Sequence, residues 1–414
     1  MKKEYHELND IQQKNIAFLL DKTDTNHLDK LKVNYGVASG KRLEDYRQNV
    51  LSSLVTGVIP FKDFLHWLSH VHLEGNNSIF IYEPTNPDFF KKKQKIKLLK
   101  NCRSKISPIY NINKEDLNQI KLVSIEENQQ KCQIILTFAA PAQLQVKEDG
   151  ANSFKLENDL YLSYFIIDYD KKHIVLSMHP TVNLISVAGE KKRREWDDLT
   201  WIHLRAFKLI TEMNFELKDP EWVVDALFEI TEEYFHHNNK KITNIIEEVN
   251  QTKLEEITKS IQEIDPLFKK KDYKLRIQRS LSNLLESELT TAYGRIDIGT
   301  PFSVFLHQSD KGVTEFKANS RGKALNRTEA ADIVKLMWDN GDITSLGIIY
   351  TFTNENAIKK EHPYKVLKTN KYYSLKKFNT SVTKKEVVDD VLEALDSYKQ
   401  RVQPSTNAPS YTRR

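Results

Sequence analysis

Glycine is scarce. Twelve residues in 414 amount to about 3%, against a usual ~7%, and loops that cradle phosphate with backbone N–H groups need glycine for close approach. Neither G-x-G-x-x-G nor G-x-x-x-x-G-K-[ST] occurs, which argues against nucleotide binding of either familiar kind. Cysteine is scarcer still. Cys102 and Cys132 alone cannot build a disulfide framework or a cysteine zinc site, and they imply a reducing compartment. Long apolar runs are missing too: nothing approaches the ~18–20 residues of a membrane span, and Met1–Glu7 lacks the apolar stretch of a secretory signal. The expectation is a cytoplasmic protein without a membrane partner.

What is present suits a mixed α+β chain of several parts. Residues 1–75 carry helical apolar spacing, as in Leu43, Tyr46, Val50 and Leu54, and form an expected helical module. From 76 to 215 the period changes. Ile79–Tyr82, Ile120–Ile125, Cys132–Phe138 and Leu160–Ile167 are β-branched and aromatic runs of strand length, and short turns between them favour an antiparallel sheet. A helix over Trp196–Met213 covers it, with Trp201, Leu204, Phe207, Leu209 and Ile210 as its apolar face. Residues 216–292 spell a helical connector opening at Asp219-Pro220-Glu221-Trp222. Residues 293–402 mix strands and helices in a C-terminal α/β domain, and 403–414 have the composition of a disordered tail.

Charge is unevenly spread although the net is only +5. Lys91, Lys92, Lys93, Lys95, Lys97, Lys100, Arg103 and Lys105 follow one another without an acid. Such density binds phosphates by releasing counterions, and Phe89, Phe90 and Tyr110 beside it are candidates to stack on unpaired bases. DNA or RNA is therefore the leading partner class. A solvated helix face is the plain alternative.

His66 and His70 stand i, i+4 on an expected helix, a spacing that puts two imidazoles on one face as zinc sites require. Trp67 stands where H-E-x-x-H places its glutamate. The apolar neighbours Phe64, Leu65, Trp67 and Leu68 favour partly buried, hydrogen-bonded histidines instead.

In Val313-Thr314-Glu315-Phe316-Lys317 an acid and a lysine lie two apart on an expected strand, hence on one side of it. The acid suits a divalent metal, and the lysine suits the hydrolytic water or the phosphate. Glu286 and Glu288 lie on a preceding helix and Asp297 on an earlier strand; a helix near Thr328 and the strand Gly347–Phe352 follow. From about Leu281 to Phe352 this order resembles the PD-(D/E)xK nuclease core. The resemblance implies Mg²⁺ held by Glu315 and Asp297, with Glu286 as a third ligand, and catalysis by Glu315, Lys317 and Asp297. It departs from the family at the strand next to Glu-x-Lys: Phe302–His307 has no carboxylate, and Asp310 falls in an expected turn. An inactive remnant of that fold and ordinary strand charges are the alternatives. The chain thus reads as a nucleic-acid-interacting protein, with a metal-dependent nuclease of a defence or mobile-element system as its sharpest form. A non-enzymatic subunit contacting a protein partner or a second copy of itself is the competing expectation.

Overall fold

Four helices open the chain: α1 (Asp10–Asp21), α2 (Thr25–Tyr35), α3 (Leu43–Val55) and α4 (Phe61–Ser69). A computed structural model describes residues 5–148, 153–191, 197–294, 299–310, 315–321, 325, 342–354 and 356–403. Local chemistry sets the helix ends. Asn9 and Gln12 cap α1 reciprocally, Asp24 accepts from the His27 amide at the start of α2, and Gly36, at φ 69°, closes α2 in the left-handed region. The chain is mixed α+β and divides into two units, residues 1–219 with 381–385, and 220–380 with 386–414.

The first unit continues through β1 (Ser78–Tyr82), α5 (Lys92–Arg103), β2 (Lys121–Asn128), β3 (Gln133–Lys147), β4 (Phe154–Asp168), β5 (His173–Met178), β6 (Leu184–Val187), β7 (Glu190–Lys191) and α6 (Asp197–Thr211). Among the described residues its strands pair antiparallel, with one isolated parallel bridge between Ile106 and Leu122. β3 and β4 run together from Gln133↔Asp168 to Lys147↔Phe154, β5 follows β4, and β1 follows β5. Along the other edge of β3, β2 takes the inner half and β6 the outer. Both long strands exceed the expected runs, which stopped at Phe138 and began at Leu160. Pro141 explains why a strand passes through a residue without an N–H. Its carbonyl accepts from Ala188 at 2.7 Å, on the edge where β2 has ended at Ala139 and β6 begins at Ala142.

Helices cover both faces of this sheet. Ile16, Leu19, Leu28, Val50, Phe64 and Leu68 from α1–α4 pack with Val123, Ala139, Leu160, Leu162 and Tyr164. On the opposite face Phe165 lies 5.4 Å from Phe138 and 4.6 Å from Phe207 of α6, ring centre to ring centre. The expected α6 face needs correction: Trp201 is 50% and Leu209 76% exposed. Thr200, Leu204, Phe207 and Thr211 form the buried stripe at i, i+4, i+7 and i+11, and Trp201 and Leu209 fall off it by helical rotation. Residues 381–385 return to this unit. Gly75 and Thr383 exchange backbone hydrogen bonds at 3.1 and 2.9 Å, and Lys385 Nζ donates to Gln133 Oε1 at 2.7 Å.

The second unit holds α7 (Trp222–Phe235), α8 (Lys240–Thr252), α9 (Leu254–Ile264), α10 (Lys271–Tyr293), β8 (Phe302–Asp310), β9 (Glu315–Asn319), β10 (Asp342–Thr353), β11 (Lys359–Lys368), β12 (Tyr373–Lys377) and α11, which spans Lys385–Val402. Its strands lie in the order β12-β11-β10-β8-β9, all antiparallel. α7 packs on β8 and β10, while α8, α9 and α10 pack on one another. α7 starts at Trp222 rather than on an Asp219 cap, because Val223 and Val224 donate back to Pro220 and Glu221 in a tighter first turn. The expected strand carrying Asp297, the helix near Thr328 and all but the first residue of the expected 403–414 tail lie outside the described residues.

Candidate functional site

The acid–lysine strand is β9, paired with β8 so that Asp310 stands opposite Glu315 and Gln308 opposite Lys317. Asp310 therefore ends a strand and is not the turn residue that its neighbourhood to Gly312 suggested; the ladder simply extends further. Lys317 is exposed. Asp297 lies outside the described residues. Glu286 sits on α10, with Oε1 3.8 Å from His237 Nε2, and Glu288 on the same helix is exposed.

The acid-free basic run is the N-cap and body of α5 with the turn after it. Leu98, Leu99 and Cys102 are its buried stripe, which leaves the lysines outside. Burial pushes the Cys102 thiol up to about 12, so the thiol is inert. Acids from elsewhere consume part of the charge. Lys91 pairs with Asp88 at 2.6 Å, Lys95 and Arg103 with Glu127 at 3.9 and 3.0 Å, and Lys105 with Glu212 at 2.6 Å. Lys92, Lys93, Lys97 and Lys100 are exposed and make no ion pair among the described residues. Lys93, Lys97 and Lys100 follow i, i+4, i+7 on one face. Of the expected stacking aromatics Phe89 needs correction, while Phe90 and Tyr110 are half-buried. Phe89 is only 5% exposed, its ring 4.9 Å from both Phe90 and Phe215, and Tyr110 packs on Phe61.

The histidine spacing on α4 acquires a partner that sequence reasoning missed. Glu126 of β2 places Oε2 3.3 Å from His70 Nε2 and 3.7 Å from His66 Nε2. His70 Nδ1 lies 2.8 Å from the His66 carbonyl. A carbonyl only accepts, so Nδ1 carries the proton and a neutral ring turns the bare lone pair of Nε2 towards the carboxylate. That Nε2 is buried without a hydrogen-bond partner. Burial holds the His70 pKa below the ordinary histidine value. Tyr164 stacks on its ring, 6.3 Å away and tilted 24°. Beside this group lies a cavity of about 290 Å³ lined by Lys30, Tyr35, Asp63, His66, Trp67 and His70, among others.

Three further histidines cluster nearby, of which His27 also lines that cavity. His72 stacks on His179 at 4.9 Å and meets His27 edge-on at 5.6 Å. Asn77, itself buried, anchors two of them: its amide donates to the His72 and Leu73 carbonyls and Ser177 Oγ, so its Oδ1 accepts from His179 Nδ1 at 2.9 Å. Burial lowers His72 well below the usual value and His179 to about 4. This trio is structural. No protein-family model matches the chain, and no curated protein matches it either.

Proposed function

We propose that this chain is a nucleic-acid-interacting protein that holds a phosphate backbone along α5. The observation that carries this reading is the contrast within one basic run: three acids, Asp88, Glu127 and Glu212, pair with Lys91, Lys95, Arg103 and Lys105, while Lys92, Lys93, Lys97 and Lys100 stay exposed and make no ion pair among the described residues. Phosphate contacts give affinity without base readout, so the expected binding tolerates any sequence. The test is fluorescence anisotropy of single- and double-stranded DNA and RNA oligonucleotides over a salt series. Reversal of Lys92, Lys93, Lys97 and Lys100 to Glu is expected to weaken binding and flatten the log–log salt slope by about 0.9 per lost contact on duplex DNA. Affinity and slope equal to wild type would remove α5 from the binding surface and favour the interaction-subunit reading.

One observation favours a second reading, Mg²⁺-dependent cleavage: β8 runs on to Asp310, which pairs with Glu315. On that reading Lys317 steadies the charge that develops on the phosphate. Lys317→Ala then abolishes cleavage of the same oligonucleotides and leaves their binding intact. A wild-type protein that cuts none of them with Mg²⁺ or Mn²⁺ ends it.

A further inference from the structure

We infer that His66, His70 and Glu126 form a binding site for a first-row transition cation of the Zn²⁺ class, open towards the adjoining cavity. This site is independent of the lysines of α5 and of the Glu315 hairpin.

Geometry carries the inference. One ligand atom from each of the three residues lies within 4.8 Å of the others. Tetrahedral zinc, with bonds of ~2.0–2.2 Å, holds its ligand atoms about 3.4 Å apart. The two distances to Glu126, 3.3 and 3.7 Å, bracket that value. The imidazoles come from one helix face and are fixed by their spacing, ring centres 4.6 Å apart. His70 is held as zinc-bound histidines are: one ring nitrogen donates to a carbonyl, here that of His66 at 2.8 Å, and the other is left bare. His70 Nε2 is buried without a hydrogen-bond partner and faces the Glu126 carboxylate at 3.3 Å. A cation between them satisfies both.

Ligand chemistry narrows the ion. Two imidazoles and one carboxylate suit Zn²⁺, Co²⁺, Ni²⁺ or Cu²⁺, whereas Mg²⁺ and Ca²⁺ prefer oxygen. Three protein ligands leave a fourth position free, as in catalytic rather than structural zinc sites. Lys30, Asp63 and Tyr35 line the cavity on the side of the imidazoles. A small molecule that binds the metal would lie beside Lys30, whose ammonium pairs with Glu74 at 2.7 Å.

The experiment uses the full chain, stripped with a chelator and dialysed. Zn²⁺ alone is titrated in competition with a chromophoric indicator, and Co²⁺ is added separately to follow its visible d–d band. One equivalent is expected to bind, with a tetrahedral Co²⁺ spectrum. His66→Ala and Glu126→Gln, both at partly exposed positions that tolerate change, should each weaken Zn²⁺ binding at least tenfold and bleach the band. His236→Ala should leave both intact. Circular dichroism shows whether each variant is folded. Failure of the folded wild type to take up Zn²⁺ overturns the inference. So does uptake that survives both His66→Ala and Glu126→Gln, since that places the metal elsewhere.

Discussion

Glu126 and Glu127 are neighbours on β2, yet they meet opposite company. Strand alternation sends Glu126 towards α4 and two imidazoles, and Glu127 towards α5 with Lys95 and Arg103. An ammonium and a guanidinium carry charge throughout the physiological range, so Glu127 is satisfied at once and its environment is complete. Imidazoles are neutral over much of that range, so Glu126 faces groups that offer lone pairs. The same residue type thus makes an ion pair on one face of the sheet and meets two imidazoles on the other.

The widest perturbation is pH, because buried imidazoles on either face of the sheet titrate where ammonium groups do not. Burial lowers His72 well below the ordinary value, and His179 and His203 to about 4. A group with a lowered folded pKa binds fewer protons than the unfolded chain. Stability is therefore fully present above the unfolded value of ~6.5 and is lost as pH falls towards the folded one. By pH 4 the loss is on the order of 3 kcal/mol for the fully buried His203, and His72 and His179 add to it. Urea unfolding between pH 7 and 4 should show the midpoint falling mainly below pH 6.5. A flat profile over that window would mean the imidazoles are not buried neutral.

A buried pair sharpens the comparison at a smaller scale. Lys22 bonds to Asp159, whose side chain is 6% exposed, and burial, followed by the nearby charge of Lys114, lowers the Lys22 pKa to about 8. Lys22→Ala strands that carboxylate and should cost about 3 kcal/mol by chemical denaturation. A change under ~0.5 kcal/mol would show that solvent reaches Asp159.

The finest test sets the two glutamates against each other in chelator-treated protein. Glu127→Gln loses a partly exposed pair and should destabilise by at most ~1 kcal/mol, less in high salt. Glu126→Gln turns an acceptor into a donor for His70 Nε2 and should stabilise by about 0.5–1 kcal/mol. Equal signs for both substitutions would erase the distinction.

Much of this was legible from residues alone, and the limits have physical causes. The i, i+4 histidines and the acid-free lysine run stand out because both lie within one helix. Glu126 does not, since only the placement of β2 beside α4 brings it there. Which lysines are spent depends in the same way on Asp88, Glu127 and Glu212, each contributed by another segment. The outer halves of β3 and β4 were hidden because Gln143, Gln145, Lys155 and Glu157 alternate on a solvated ribbon, and a search for apolar runs stops where burial stops. The mixed α+β class needed only the change of period after residue 75.

Synthesis on the ribosome gives the return of residues 381–385 a meaning in time. Asp219 emerges, and the sheet of the first unit can assemble, well before Thr383 and Lys385 exist. At ~5–20 residues per second the interval is on the order of 10–30 s. Throughout it the Gly75 backbone and Gln133 Oε1 lack the partners they hold in the finished protein, although Gln133 Nε2 can already donate to Asp168. The first unit to leave the ribosome is thus among the last to be completed.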